Sequence, residues 1–212
     1  MIQISPSLVS APLLDLAAVI KRLEAIQIDY LHFDIEDGSF VHEMNLGTKI
    51  IKDVRGFTTL PIDVHLMMVE PEWIIPLMAE MGVNMLSFHY EATQYPRRVL
   101  RMIAERGMQA GLAFNPKSPI PDLTQYQPYL HFVNILTTEP EIGGAVFLPE
   151  VLQKVRLLKK DLPDMVCEVD GGVTPDNYRE VVEAGADILV SGRGLFANDH
   201  FEDTVEQLRK LP

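Results

Sequence analysis

Short apolar runs recur along this chain, separated by longer stretches whose apolar residues fall at helical spacing. The strand-like runs occupy 2–5, 30–34, 62–65, 85–89, 109–114, 132–136, 166–169 and 188–190. Between them, Leu16, Val19, Ile20 and Leu23 line one helix face, and Val151, Val155 and Leu158 line another. Val181, Val182 and Ala184 form a third apolar stripe, after the seventh run. Turn chemistry supplies the boundaries. Thr174-Pro175-Asp176 reads as an N-cap, a first-position proline and a first-turn acid. Pro71-Glu72 and Pro149-Glu150 suggest the same start. Gly82, Gly107 and Gly185 are placed to end helices just before the next strand. About eight strand–helix units in series predict an α/β fold with a parallel sheet. The favoured closure is a compact (β/α)8 TIM barrel, one domain over 1–212. An open doubly wound sheet is the runner-up, but no G-x-G-x-x-G follows the first strand.

Barrel geometry gathers the chemistry. Active sites of this fold lie at the C-terminal ends of the strands. His32 and Asp34 sit two apart in an apolar run, so both side chains point to one face. His65 closes the third run, within Asp63-Val64-His65-Leu66-Met67. Asp170 closes the seventh, within Glu168-Val169-Asp170-Gly171-Gly172. Two imidazoles and two carboxylates from different strand ends can enclose one divalent cation. Such mixed ligation suits zinc, iron(II), manganese or cobalt, and ligand type does not choose among them. The same carboxylates could move protons on a bound substrate. Asp37 and Asp63 flank the set and read as acceptors that orient ligand N–H groups or loop backbone.

Charge narrows the partners. The 212 residues carry a formal net charge of −12, which argues against nucleic acid and anionic membrane surfaces. No apolar run approaches the roughly 20 residues needed to span a bilayer. One cysteine, Cys167, excludes an intrachain disulfide, and the N-terminus shows no signal pattern. The expectation is a cytoplasmic protein. An anionic substrate must then be held by local devices. Gly143-Gly144, Gly171-Gly172 and Gly192-Arg193 each follow a late strand, where barrels often bind phosphate through backbone N–H groups. Arg193 is the placed cation there.

At these residues the chain resembles the ribulose-phosphate 3-epimerase family over nearly its whole length. Ile4-Ser5-Pro6-Ser7-Leu8 resembles the family's opening strand, and 32–38 its H-x-D-x-x-D-G motif. The segments ending in His65-Leu66-Met67 and Asp170-Gly171-Gly172 are similar to two further signatures, and Asn115-Pro116-Lys117-Ser118-Pro119 to a proline turn after the fifth strand. The resemblance implies a (β/α)8 barrel, a bound metal, and 1,1-proton transfer at C3 of a ketose phosphate. An example is D-ribulose 5-phosphate to D-xylulose 5-phosphate. Asp34 would take the proton from one face and Asp170 would return one to the other, through an enediolate. His32 and His65 complete the metal site. The implied substrate contacts are Ser7, His65, Met67, Gly143, Gly144, Gly171, Gly172 and Gly192, to which Arg193 is added on its charge and position alone. A sugar-phosphate partner and a homo-oligomer are also implied.

The chain departs from the family's pattern in the substrate shell. The phosphate loop, usually N-P-G-F-G-G-Q or E-P-G-F-G-G-Q, reads Glu139-Pro140-Glu141-Ile142-Gly143-Gly144-Ala145. Glu36 and Leu136 stand where methionines are usual, and Gly192-Arg193 replaces a common G-S. An epimerase of another sugar phosphate, such as allulose 6-phosphate, fits these changes. Two further alternatives are a metal-free phosphosugar lyase or decarboxylase and a non-catalytic sugar-phosphate sensor. A Schiff-base lyase would need a lysine in the mouth, and Lys117 lies beyond the fifth strand in a turn.

Overall fold

The computed structural model describes residues 2–139, 146–197 and 199–210. Eight parallel strands form one sheet: β1 (Gln3–Pro6), β2 (Leu31–Glu36), β3 (Ile62–Met67), β4 (Met85–His89), β5 (Gln109–Phe114), β6 (Phe132–Leu136), β7 (Val166–Asp170) and β8 (Ile188–Ser191). Their order is β1-β8-β7-β6-β5-β4-β3-β2. The two ends of that sheet meet. Ser7 bridges His32 in parallel register, and the Tyr30 N–H donates to the Ile4 carbonyl at 3.4 Å. The doubly wound alternative is thereby excluded, and the expected (β/α)8 barrel is the fold.

Period-two alternation explains what lies inside and outside. Leu31, Phe33 and Ile35 of β2, with Ile62, Val64 and Leu66 of β3, are buried in the main apolar core. The intervening His32, Asp34, Asp63 and His65 must point the opposite way, into the barrel. Helices supply the other half of that core: Leu16, Val19, Ile20 and Leu23 from α1 (Leu16–Ala25), and Leu152, Val155 and Leu158 from α5 (Leu152–Asp161). Four more helices follow earlier or later strands: α2 (Thr48–Arg55), α3 (Ile75–Glu80), α4 (Pro96–Ala104) and α6 (Tyr178–Ala184). After β8 come a short α7 (Arg193–Phe196) and α8 (Phe201–Leu208). The barrel floor is apolar. Met85, Phe132 and Ile188 begin β4, β6 and β8 and form their own small cluster.

Three local expectations need correction. The connection from β5 to β6 holds no α-helix, because Pro116, Pro119 and Pro121 interrupt helical hydrogen bonding. Its place is taken by turns that bury Leu123, Tyr126 and Leu130. Thr174-Pro175-Asp176 does not open α6. The Thr174 N–H donates to Asn177 Oδ1 at 2.9 Å, making a turn of its own, and the helix starts at Tyr178. Prolines 71 and 149 do sit at first positions, but of single tight turns that precede α3 and α5. The helix stop at Gly185 is as expected, at φ 110°, where other residues are strained. No helix among the described residues is long and apolar enough to cross a membrane.

Candidate metal centre and active site

Strand register builds the centre in two layers. His32 lies beside Asp63 across β2 and β3, and Asp34 lies beside His65 one step nearer the mouth. From β7, Glu168 sits beside Asn134 and Asp170 beside Leu136. The upper group draws together His32, Asp34, His65 and Asp170, all buried. His32 Nε2 is 3.2 Å from Asp34 Oδ1 and 3.6 Å from Asp170 Oδ2. His65 Nδ1 is 3.4 Å from Asp34 Oδ1 and 3.2 Å from Asp170 Oδ2. Zinc–ligand bonds of about 2.0–2.1 Å in a tetrahedron place ligand atoms about 3.3 Å apart. The four separations match that edge, so the residues fit a divalent cation.

Neighbours fix the orientation of three of these four side chains. Asp63 Oδ2 accepts from His32 Nδ1 at 2.6 Å and from the Ser5 hydroxyl at 3.0 Å. The Ser7 hydroxyl donates to Asp34 Oδ2 at 2.9 Å. His65 Nε2 lies 2.9 Å from Nε2 of His89, one ring donating to the other. Asp37 serves loop backbone, accepting the N–H groups of Ser39, Phe40 and Val69.

Without a metal, protons take its role. Burial disfavours charge on His32, but Asp34 and Asp63 outweigh it and push its pKa well above the usual imidazole value. Burial likewise opposes charge on His65, yet hydrogen bonds with Asp170 and Asp34 lift it to about 9. Burial would raise the Asp34 carboxyl, but His32 and His65 hold it well below the usual carboxylate range. Beneath, His32, Asp63 and Glu168 form a second group of potential ligands. Burial first, then the charge of Asp63, pushes the Glu168 carboxyl well above its ordinary range. A carboxyl that keeps its proton needs no cation beside it, so the upper group is the better metal site.

A cavity of about 840 Å³ opens from this centre. Asp34, Asp170, Ser7, Met67, Gly171, Gly172, Gly192 and Arg193 line it, whereas His65, also expected as a substrate contact, is fully buried and does not. A Cβ on Gly172 would meet the Phe147 backbone nitrogen at 2.9 Å, and its φ is 68°. Glycine there keeps the main chain close to the cavity wall. Arg193 opens the short α7 directly after β8. Gly143 and Gly144 lie outside the described residues, as do Glu141 and Ala145. No lysine lines the cavity among the described residues. Lys117 borders a separate cleft between the β5–β6 connection and α5. The loop after β2 joins the wall through Glu36 and Glu43. Sequence reasoning missed Asn45 of that loop, whose backbone N–H and side chain donate to Glu36 at 2.7 and 3.1 Å. It also missed Thr174, Asp176 and Asn177, although their run directly follows β7. Position after a strand end was the available signal.

The fold and this centre define a class: a TIM barrel whose mouth carries a buried group of histidines and aspartates able to hold a metal ion. The profile of the Ribulose-phosphate 3 epimerase family matches residues 3–196. The chain belongs to that family, and its chemistry is that of an isomerase. It is 36% identical to the ribulose-phosphate 3-epimerase of Bacillus subtilis over 214 residues, covering 99% of each protein. The enzyme of that name from Escherichia coli K12 is 34% identical, over 97% of this chain and 94% of its own length. That of Schizosaccharomyces pombe is also 34% identical, over 98% and 92%. Among solved structures, a mutant tryptophan synthase alpha-subunit from Pyrococcus furiosus superposes with a TM-score of 0.69 at 15% identity, covering 99% of this chain and 98% of that one. Phosphoribosyl anthranilate isomerase from Thermus thermophilus gives 0.64 at 16%, covering 92% and 88%. Both share the barrel.

Proposed function

We propose that this protein is a metal-dependent ketose-phosphate 3-epimerase that interconverts D-ribulose 5-phosphate and D-xylulose 5-phosphate. The carrying observation is that Asp34 and Asp170 approach the same two imidazoles from β2 and β7, strands separated around the barrel. A substrate lying across the mouth would have one carboxylate on each face. His32, Asp34, His65 and Asp170 are the proposed metal ligands, with zinc the favoured ion. A bound divalent cation supplies Lewis-acid stabilisation of charge on the substrate's oxygens. Asp34 takes the C3 proton on one side, and Asp170 delivers a proton on the other. In the reverse direction the roles exchange, so one carboxyl starts ionised and the other protonated. The Ser7 hydroxyl holds Asp34 in place. Backbone N–H groups at Gly171-Gly172 and Gly192-Arg193 receive the phosphate, while Met67 walls the sugar and the fully buried His65 is left to the metal.

Asp34→Asn and Asp170→Asn should each lower turnover by about 10²–10⁴-fold. The assay is formation of D-xylulose 5-phosphate from D-ribulose 5-phosphate in deuterated water, with deuterium gained at C3, and full epimerisation in either variant rejects the assignment. A second reading draws on Glu36, clamped by Asn45, and on Leu136, since both reshape the wall nearest the sugar. It is epimerisation of a longer ketose phosphate such as allulose 6-phosphate, and the same exchange assay separates the two. The absence of lysine from the described cavity wall weighs against a Schiff-base lyase. A cytoplasmic setting completes the proposal, supported by Cys167, a free buried thiol. So does self-association, supported by the exposed Leu14 and Trp73 and checked by sedimentation.

A further inference from the structure

One ligand of the centre is backed by a chain of groups that the proton-transfer chemistry does not use. His65 turns Nδ1 toward Asp34 and Asp170, so Nδ1 is the atom that would face a cation. A ligating nitrogen offers its lone pair, which leaves the His65 hydrogen on Nε2. That Nε2 is 2.9 Å from Nε2 of His89, at the end of β4. To accept, His89 must keep Nε2 bare and carry its own hydrogen on Nδ1. Nδ1 of His89 faces Glu91 Oε2 at 3.4 Å, an ion-pair distance, and among the described residues this buried nitrogen makes no hydrogen bond, so the carboxylate is the acceptor nearest its hydrogen. The Phe40 ring packs on His89 with centroids 4.6 Å apart, fixing the plane of the imidazole.

Glu91 is itself anchored. Its Oε1 accepts the Asn115 backbone N–H at 3.1 Å, and the Ser118 hydroxyl bonds the same carboxylate. Lys154 of α5 donates to the carbonyls of Asn115 and Ser118 at 2.8 and 2.6 Å, pinning that turn. The proline-bounded connection that replaces a helix after β5 thus ends as a buttress for a residue two positions past β4.

We infer that Glu91 and His89 are positioning residues for metal binding: a carboxylate–imidazole–imidazole relay that fixes His65 in the tautomer presenting Nδ1 to the cation. The inference rests on the metal reading above and goes beyond it in assigning a hydrogen to each ring nitrogen. Relays of this kind orient ligands, and losing one typically weakens binding by about 10–100-fold.

Two measurements test it, both with Zn²⁺ as the probe. Long-range ¹H–¹⁵N spectra of the zinc-loaded wild-type protein should show His65 protonated on Nε2 and His89 on Nδ1. A hydrogen on Nε2 of His89 overturns the relay. Zinc affinity of the metal-free protein is then read by competition with a chromophoric chelator. His89→Leu should bind about 10–100-fold more weakly, and His89→Gln, whose amide oxygen can accept from His65, should recover most of the loss. Equal affinity for wild type and His89→Leu overturns the relay, as does failure of the glutamine to restore binding. Should the leucine variant not fold, Glu91→Gln gives the same comparison at a more exposed position, with a loss at the lower end of that range expected and unchanged affinity counting against us. If wild type itself binds no zinc, the metal reading falls and takes the relay with it. A wild type that binds zinc with unaffected variants removes the relay alone.

Discussion

His65 shows how one side chain ties the pH behaviour of the metal-free protein to the chemistry of the loaded one. Its folded pKa of about 9 lies above the ordinary value of 6.5. The sign follows from linkage: the stability it contributes is fully present below pH 6.5 and is lost as pH rises through about 9. Asp34 acts at the other end, because its carboxyl is depressed; its contribution is present above pH 3.8 and is lost only in strong acid. Urea unfolding of metal-free protein should therefore show greatest stability from these groups between those limits and a decline from pH 6.5 to 9. Zinc affinity should move the opposite way and rise with pH over the same interval, since the cation must displace imidazole protons. A pH-independent affinity would contradict this. The four candidate ligands were legible in the sequence because period two places His32 with Asp34 and because Asp34, His65 and Asp170 close apolar runs. Glu91 was not legible. Its significance depends on a turn that reaches it from beyond β5, and no local pattern encodes that approach.

Elements were legible where periodicity was strong and illegible where proline dominated. All eight strands lie where apolar runs predict them, with ends shifted by a residue or two. The segment after β5 carries buried Leu123, Tyr126 and Leu130 at spacings of three and four, a helix-like pattern that its prolines override. Pairing between strands is where close packing shows. A Cβ on Gly111 of β5 would fall 2.2 Å from Cζ of Phe132 at the start of β6. Phe132 belongs to the apolar floor beneath the metal layers. Gly111→Ala should cost about 1–3 kcal/mol through overpacking, measured by chemical denaturation. Stability equal to wild type would mean that the ring has room to yield.

At the scale of the molecule, charge sets the approach of ligands. A net charge of −12 attracts a divalent cation and repels a phosphate ester at long range. Salt screens both over a Debye length of about 10 Å at 0.1 M. Stopped-flow measurements between about 0.02 and 0.15 M NaCl should find zinc association slowing, while kcat/KM for the sugar phosphate rises by about 2–10-fold. A substrate rate that falls with salt would show that local cations around Arg193 govern capture instead.

The seam where the barrel closes has a consequence for chain order. β1 is laddered to β8 along its length, but its side toward β2 is closed only by the Ser7–His32 bridge and the long Tyr30–Ile4 hydrogen bond. Read around the ring from β2, the strands run in unbroken succession to β8 and then β1. A circular permutant cut at exposed Gln27, between α1 and β2, would convert that seam into its two ends and leave every full ladder intact. Such a rewired polypeptide should refold and keep its zinc affinity. An unfolded product would reveal that the few stitches around Ser7 and His32 matter more than their number suggests.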